Sequence, residues 1–255
     1  MNINLRLTCL ALASVSALCA QTPSISNLST RAQVGTGGDI IITGFNVGAG
    51  TNKTVLIRAT GPALNAFGVT GTLADPKLEL FSGATKIAEN DNWGTPVGSA
   101  APITAATFTS VGAFQLTAGS RDSALLATLA PGAYTAQVYG VGGGTGVALV
   151  EVYEVGAVGA RLTNISTRAL VGTGANILIP GLVVSPGSGP RRLLVRTAGP
   201  ALAAFGTTGV LANPTMVVTN AAGATVASND NWSTPVGANA SNATTLSAAF
   251  TQAGA

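Results

Sequence analysis

Apolar and polar positions alternate with period two in several short runs, each closed by Gly, Pro, Asn or Asp. Lys77-Leu78-Glu79-Leu80-Phe81 is one such run. In Ala133 to Tyr139, Tyr134, Ala136 and Val138 share one face, and Thr135 and Gln137 share the other. This is the signature of a half-buried strand. Ile40 to Ile42 and Thr54 to Ala59 are apolar runs rich in β-branched residues, and Val147 to Val155 is the clearest strand. The glycine runs Gly35 to Gly38 and Gly140 to Gly146 read as hairpin turns between strands. Neither has the spacing of a phosphate-binding loop. No segment carries a 3.6-residue apolar stripe over ten residues, and Pro62 to Phe67 predicts a single helical turn.

The pattern is written twice. Asn27-Leu28-Ser29-Thr30-Arg31-Ala32 returns 137 positions later as Asn164-Ile165-Ser166-Thr167-Arg168-Ala169. Arg58 to Leu64 returns as Arg196 to Leu202, and Asn90-Asp91-Asn92-Trp93 as Asn229-Asp230-Asn231-Trp232. Phe108 to Ala113 aligns with Phe250 to Ala255, so the second copy stops where the first runs on to Val155. Many short strands with regular turns predict an antiparallel sandwich or barrel. The expected fold is therefore all-β: two tandem antiparallel β-sandwich, jelly-roll-like modules, the second truncated. The expected boundaries are 23–155 for the first module, 156–160 for a linker and 161–255 for the second. Limited proteolysis is expected to spare the first copy and degrade the second from about Ala160.

Composition narrows the setting. Hydrophobic residues make up 47% of the chain, enough for a packed core, while only 8% are charged. Low charge with ample Val, Ile and Leu argues against disorder. Residues 1–20 read as a secretory signal: Arg6 is the basic start, Leu7 to Leu18 the apolar stretch, and Ala20 the cleavage point. Cleavage after Cys19 and a lipid anchor on Cys19 are the alternatives. The mature chain would carry no Cys, since Cys9 and Cys19 both lie in this segment. It would hold 11 basic and 9 acidic residues, which gives no electrostatic case for nucleic acid. No later segment is long and apolar enough for a membrane-spanning helix.

Candidate chemistry is sparse. Calcium takes about six to eight oxygen ligands; Asn90-Asp91-Asn92 and Asn229-Asp230-Asn231 each offer three oxygen-bearing side chains in a row, and Asp75 or Glu89 could complete the first site. The competing reading is a tight turn whose side chains bond their own backbone. Trp93 and Trp232 follow these turns and suit either stacking on a sugar or partner, or plugging one end of a sandwich. Arg58 and Arg196 sit in apolar strands and need carboxylate or carbonyl partners. Asp39, Glu79 and Asp122 are candidate partners in the first copy, and Arg121-Asp122 reads as a solvated pair. With no His anywhere, the commonest general base is missing, so no catalytic residue is assigned.

Asp75-Pro76-Lys77-Leu78-Glu79-Leu80, then Asn90-Asp91-Asn92-Trp93, then Leu129-Ala130-Pro131-Gly132-Ala133-Tyr134-Thr135 follow one another in an order similar to the bacterial pre-peptidase C-terminal domain. The whole unit also resembles long repeats of large secreted bacterial proteins. The resemblance spans about Asp75 to Tyr153 in the first copy. It implies a jelly-roll-like sandwich with a non-catalytic accessory or adhesive role, and some relatives bind calcium, carbohydrate or collagen. The expected function is a non-catalytic extracellular repeat module, secreted or at the cell surface, acting as adhesin, spacer or structural segment. The alternative is a carbohydrate- or protein-binding accessory module with a structural calcium ion.

Overall fold

The computed structural model describes residues 23–95, 97, 102–156, 159–234, 236–237 and 240–253. The segment read as a secretory signal, with both cysteines and its expected cleavage point, lies outside them. The first copy forms β1 (Ile25–Val34), β2 (Ile41–Val47), β3 (Lys53–Thr60), β4 (Pro76–Ser82), β5 (Thr85–Asn90), α1 (Ala105–Ser110), β6 (Ser123–Leu129), β7 (Gly132–Gly140) and β8 (Gly146–Val155). The second forms β9 (Leu162–Arg168), β10 (Ile179–Val184), β11 (Met216–Thr219), β12 (Thr225–Asn229) and α2 (Ala243–Ala253). Pro62–Phe67 is a 3-10 turn, as its sequence predicts, and Pro200–Phe205 repeats it.

The chain is mostly β. Ten strands form one antiparallel sheet in the order β5-β4-β7-β2-β9-β1-β8-β3-β6, with β10 also on β1, and this sheet curls until it nearly closes into a barrel. A single apolar core fills it, contributed by alternate residues of facing strands. Leu28, Val34, Ile41, Phe45, Val55, Ile57, Leu78, Leu80, Val138, Val150 and Val152 are all buried there. Strands β3 and β8 are covered on both faces. Their outer residues Leu56 and Tyr153 join Phe108 of α1, Ala113, Leu116 and Ala124 in a second, smaller core.

Two expectations are corrected by the pairing. The glycine runs are not hairpin turns. β1 pairs with β8 and β10, β2 with β7 and β9, so the Gly35 to Gly38 run carries the chain from one half of the sheet to the other as an arch. Gly140 to Gly146 does the same between β7, which pairs with β2 and β4, and β8, which pairs with β1 and β3. The glycines are needed at Gly142 and Gly143, both left-handed, and at Gly140, where a Cβ would sit 2.1 Å from the Gly144 carbonyl oxygen.

The second correction concerns the boundary between copies. Residues 156–160 do not separate two sheets, because β9 and β10 of the second copy are strands of the first copy's sheet. The arch β1–β2 and its repeat β9–β10 clasp each other about a pseudo-twofold axis. Ser29 faces Gly181 while Ser166 faces Gly44; Leu28 faces Leu182 while Ile165 faces Phe45; Arg31 faces Ile179 while Arg168 faces Ile42. Each pair maps onto the other by the 137-residue repeat, and both ladders shift register at the same place, between Ile25 and Asn27 and between Asn46 and Val47. Ile25 pairs with its own counterpart Leu162, and Gln33 with its counterpart Leu170. This is the self-complementary geometry of a twofold dimer interface, formed within one chain.

Candidate functional site

The Asn-Asp-Asn-Trp turn follows β5 and lies against β6. Asn90 is buried, and its amide is fully employed by backbone. Its Nδ2 donates to the carbonyls of Asn92 and Thr95, both at 3.0 Å, and its Oδ1 accepts from the Ala124 N–H at 3.0 Å. Asp91 Oδ1 accepts from Asn92 Nδ2 at 3.0 Å. In the second copy Asn229 and Asn231 repeat the local bonds, Nδ2 to the Asn231 carbonyl at 2.8 Å and Nδ2 to Asp230 Oδ1 at 3.0 Å. These contacts are those of a turn that bonds its own backbone. The two carboxylates proposed as further calcium ligands are engaged with cations: Asp75 Oδ2 with Arg121 at 2.7 Å, and Glu89 with Lys86 at 2.5 Å and Lys77 at 3.3 Å. Hydrogen bonds from Lys86 and then Lys77 hold the Glu89 carboxyl down at about 2. Asp75 Oδ1 is buried and accepts no hydrogen bond among the described residues. Among the described residues no three carboxylate, thiol or imidazole groups converge.

Trp93 leans edge-on against Phe108 of α1, with ring centroids 5.4 Å apart, and donates from Nε1 to the Thr117 carbonyl at 3.0 Å. It closes the smaller core. Trp232 repeats the contact with Phe250 at 5.8 Å but is 54% exposed.

Arg58 is the most heavily engaged side chain of the first copy and is wholly buried. Its Nε donates to Glu151 Oε2 at 2.9 Å, Nη2 donates to the same oxygen, and Nη1 donates to the Phe114 carbonyl at 2.6 Å. The guanidinium also lies 4.1 Å from the Phe114 ring centroid. The Tyr153 hydroxyl completes the cluster by donating to Glu151 Oε1 at 2.6 Å. Burial and the adjacent Glu151 carboxylate push the Tyr153 phenol well above its ordinary pKa. The partner of Arg58 is therefore Glu151, and none of Asp39, Glu79 and Asp122. Alternation along β8 puts Glu151 and Tyr153 on the face opposite Val150 and Val152 but does not name Arg58 as the partner.

Asp122 is also corrected from solvated to buried. Its Oδ1 accepts from the N–H groups of Gly61 and Ala63 at 2.8 and 3.2 Å, fixing the start of the Pro62–Phe67 turn, while Oδ2 accepts from Ser120 at 2.8 Å. At the join between copies, Lys53 Nζ donates to the Gly156 carbonyl at 2.6 Å and lies 3.7 Å from Glu154. Burial lowers the Lys53 pKa against the pull of Glu154. Glu154 in turn accepts from Arg161 and from the Leu162 N–H, each at 2.6 Å, which anchors the start of β9.

One open cleft, about 420 Å³, lies between the two glycine arches, with Thr36, Glu79, Gln137 and Tyr139 as its polar lining. No local pattern marks this cleft, because its walls come from three segments distant along the chain, around Thr36, Glu79 and Gln137. Glu79 there already accepts from Lys86 at 3.1 Å. No helix among the described residues is long and apolar enough to cross a membrane. Comparison with protein-family models, with curated proteins and with solved structures found no match to this chain.

Proposed function

We propose that this chain is a non-catalytic repeat segment of an exported protein, serving at the cell surface as a spacer or adhesin scaffold. The observation that carries this reading is the clasp of β1–β2 with β9–β10, which couples consecutive repeats through paired strands instead of a free linker. A clasp of this kind joins the two copies into one body across the repeat boundary, which limits bending there. The use made of the buried ionisable groups supports the reading as well. Arg58, Glu151, Asp122 and Glu154 each hold strands or turns together. The export signature in residues 1–20 supplies the compartment.

The test uses the chain expressed with its own N-terminal segment. Fractionation should place it outside the cytoplasm, and the purified product should bind no glycan on an array and show no calcium-dependent rise in melting temperature. A calcium-dependent rise that Asp91→Ala abolishes, or selective glycan binding lost with Trp93→Ala, would replace this reading by that of a binding accessory module.

A further inference from the structure

The pseudo-twofold axis that relates the two arches also defines what the open edges of the second copy are shaped to accept. In the first copy the far edge of β1 is taken by β8, from Asn27 opposite Tyr153 to Val34 opposite Gly146, and the far edge of β2 is taken by β7. Rotation about the axis carries β1 onto β9 and β2 onto β10. The far edges of β9 and β10 therefore correspond to the edges that β8 and β7 fill, and among the described residues they carry no ladder beyond the isolated pairs Ile25–Leu162 and Gln33–Leu170 that β1 makes at the two ends of β9. Open edges of this kind pair readily with an added strand.

We propose that the second copy is an acceptor for a β-arch with the sequence chemistry of Gly132–Val155, its β8 strand laid along β9 and its acidic residue set opposite Arg196. Three features point to this occupant. β9 repeats the Asn-x-Ser-Thr-Arg-Ala signature of β1, so it offers β8 the same register. The apolar positions that β7 and β8 help cover in the first copy stand open in the second: Val34 is 0% exposed and Val171 38%, Phe45 3% and Leu182 41%, Val55 0% and Leu193 37%. The third is charge. Arg196, the counterpart of Arg58, rests over the Phe250 ring at 5.8 Å, and among the described residues no carboxylate pairs with it. Its segment, Arg191 to Ala198, repeats β3 but carries no ladder.

An added strand gains affinity from main-chain bonds and specificity from the alternate side chains it presents. Pro180 in β10 supplies no N–H. The β9 edge, which holds no proline, therefore carries more of the ladder. Specificity rests on an acidic residue at the position of Glu151, as in the first copy.

The experiment titrates a synthetic peptide of residues 131–156, made soluble by terminal lysines, into the purified full chain. Hydrogen exchange and calorimetry are the readouts. One peptide should bind per chain, with new protection confined to residues 162–198. Charge reversal makes the test specific: Glu151→Lys in the peptide should weaken binding by about tenfold or more, and Arg196→Glu in the chain should recover it for that peptide. Arg196 is exposed, so this variant keeps the fold. Absence of binding overturns the proposal, and so does protection appearing in β1 and β2 by exchange with the resident arch. Equal binding of both peptides to both chains also overturns it, since any apolar strand would then serve.

Discussion

The Thr30 hydroxyl and the Thr167 hydroxyl share a hydrogen bond of 2.9 Å, which joins one position of the repeat to the same position of the next copy. Thr30 is fully buried, so this bond lies inside the clasp rather than on its rim. A contact of a residue with its own counterpart is what a twofold axis requires. Substitutions at positions related by that axis should therefore act in matched pairs.

Glycine stands at Gly44 and Gly181 because a serine of the other copy occupies the space a side chain would need. A Cβ at Gly44 would lie 2.6 Å from Ser166 Oγ, and one at Gly181 2.7 Å from Ser29 Oγ. Gly44→Ala and Gly181→Ala should each destabilise the chain by about 1–3 kcal/mol as overpacking substitutions do. Ser166→Ala should relieve the first and leave the second unchanged; Ser29→Ala should do the reverse. Urea unfolding of the four single and four double variants measures this, and additive losses in both matched cycles, Gly44 with Ser166 and Gly181 with Ser29, would refute the axis.

The Arg58–Glu151 pair is buried on both sides, so removing one partner strands the other charge. Arg58→Met should cost about 3–5 kcal/mol, the usual range for breaking a buried ion pair. Combining it with Glu151→Leu should recover much of that loss. A single-variant cost below about 1 kcal/mol would mean that water reaches the cluster.

Tyr153 sets an alkaline limit. Its folded pKa is raised above the ordinary value near 10, so the proton it keeps stabilises the fold fully below pH 10. As pH climbs above 10 the unfolded chain ionises first and that contribution is lost. Tyr153→Phe should remove this part of the alkaline decline while lowering stability at neutral pH, because Glu151 loses a donor. Chemical unfolding of both proteins between pH 8 and 11 compares the slopes.

Trypsin should cut after Arg191 or Arg192, not near Ala160. Both arginines are exposed and lie in the segment without a ladder, whereas Arg161 is tied to Glu154 and residues 162–184 are held in the first copy's sheet. Mass spectrometry of the limit fragment should place its end beyond Val184. A fragment ending at Arg161 would show that the clasp opens in solution.

The strands were legible wherever a run alternates or is β-branched: β4, β7 and β8 match their patterns closely, and the repeat carries β1 and β2 over to β9 and β10. What was not legible depended on distance along the chain. An arch and a hairpin use the same glycines, and only the partners chosen by β1, β2, β7 and β8 tell them apart. Arg58 finds Glu151 at a separation of 93 residues, and nothing local to either names the other. The helix α1 escaped notice because six residues are too few to display a stripe. In the Asn-Asp-Asn turn the residue types were visible but their employment was not: Asn90 reaches across to the Ala124 N–H, on a strand 34 residues away.

The clasp also puts the unit of duplication out of phase with the unit of folding. A gene segment cut at the sequence period yields a body with two raw flanks, and the neighbouring period supplies the pieces that hem them. Because the clasp is mutual and uses the arch of each copy, gain or loss of two periods together leaves every junction chemically as it was, whereas gain or loss of one leaves an arch without its counterpart. Copy number is therefore expected to change in steps of two, with no contact needing to be reinvented.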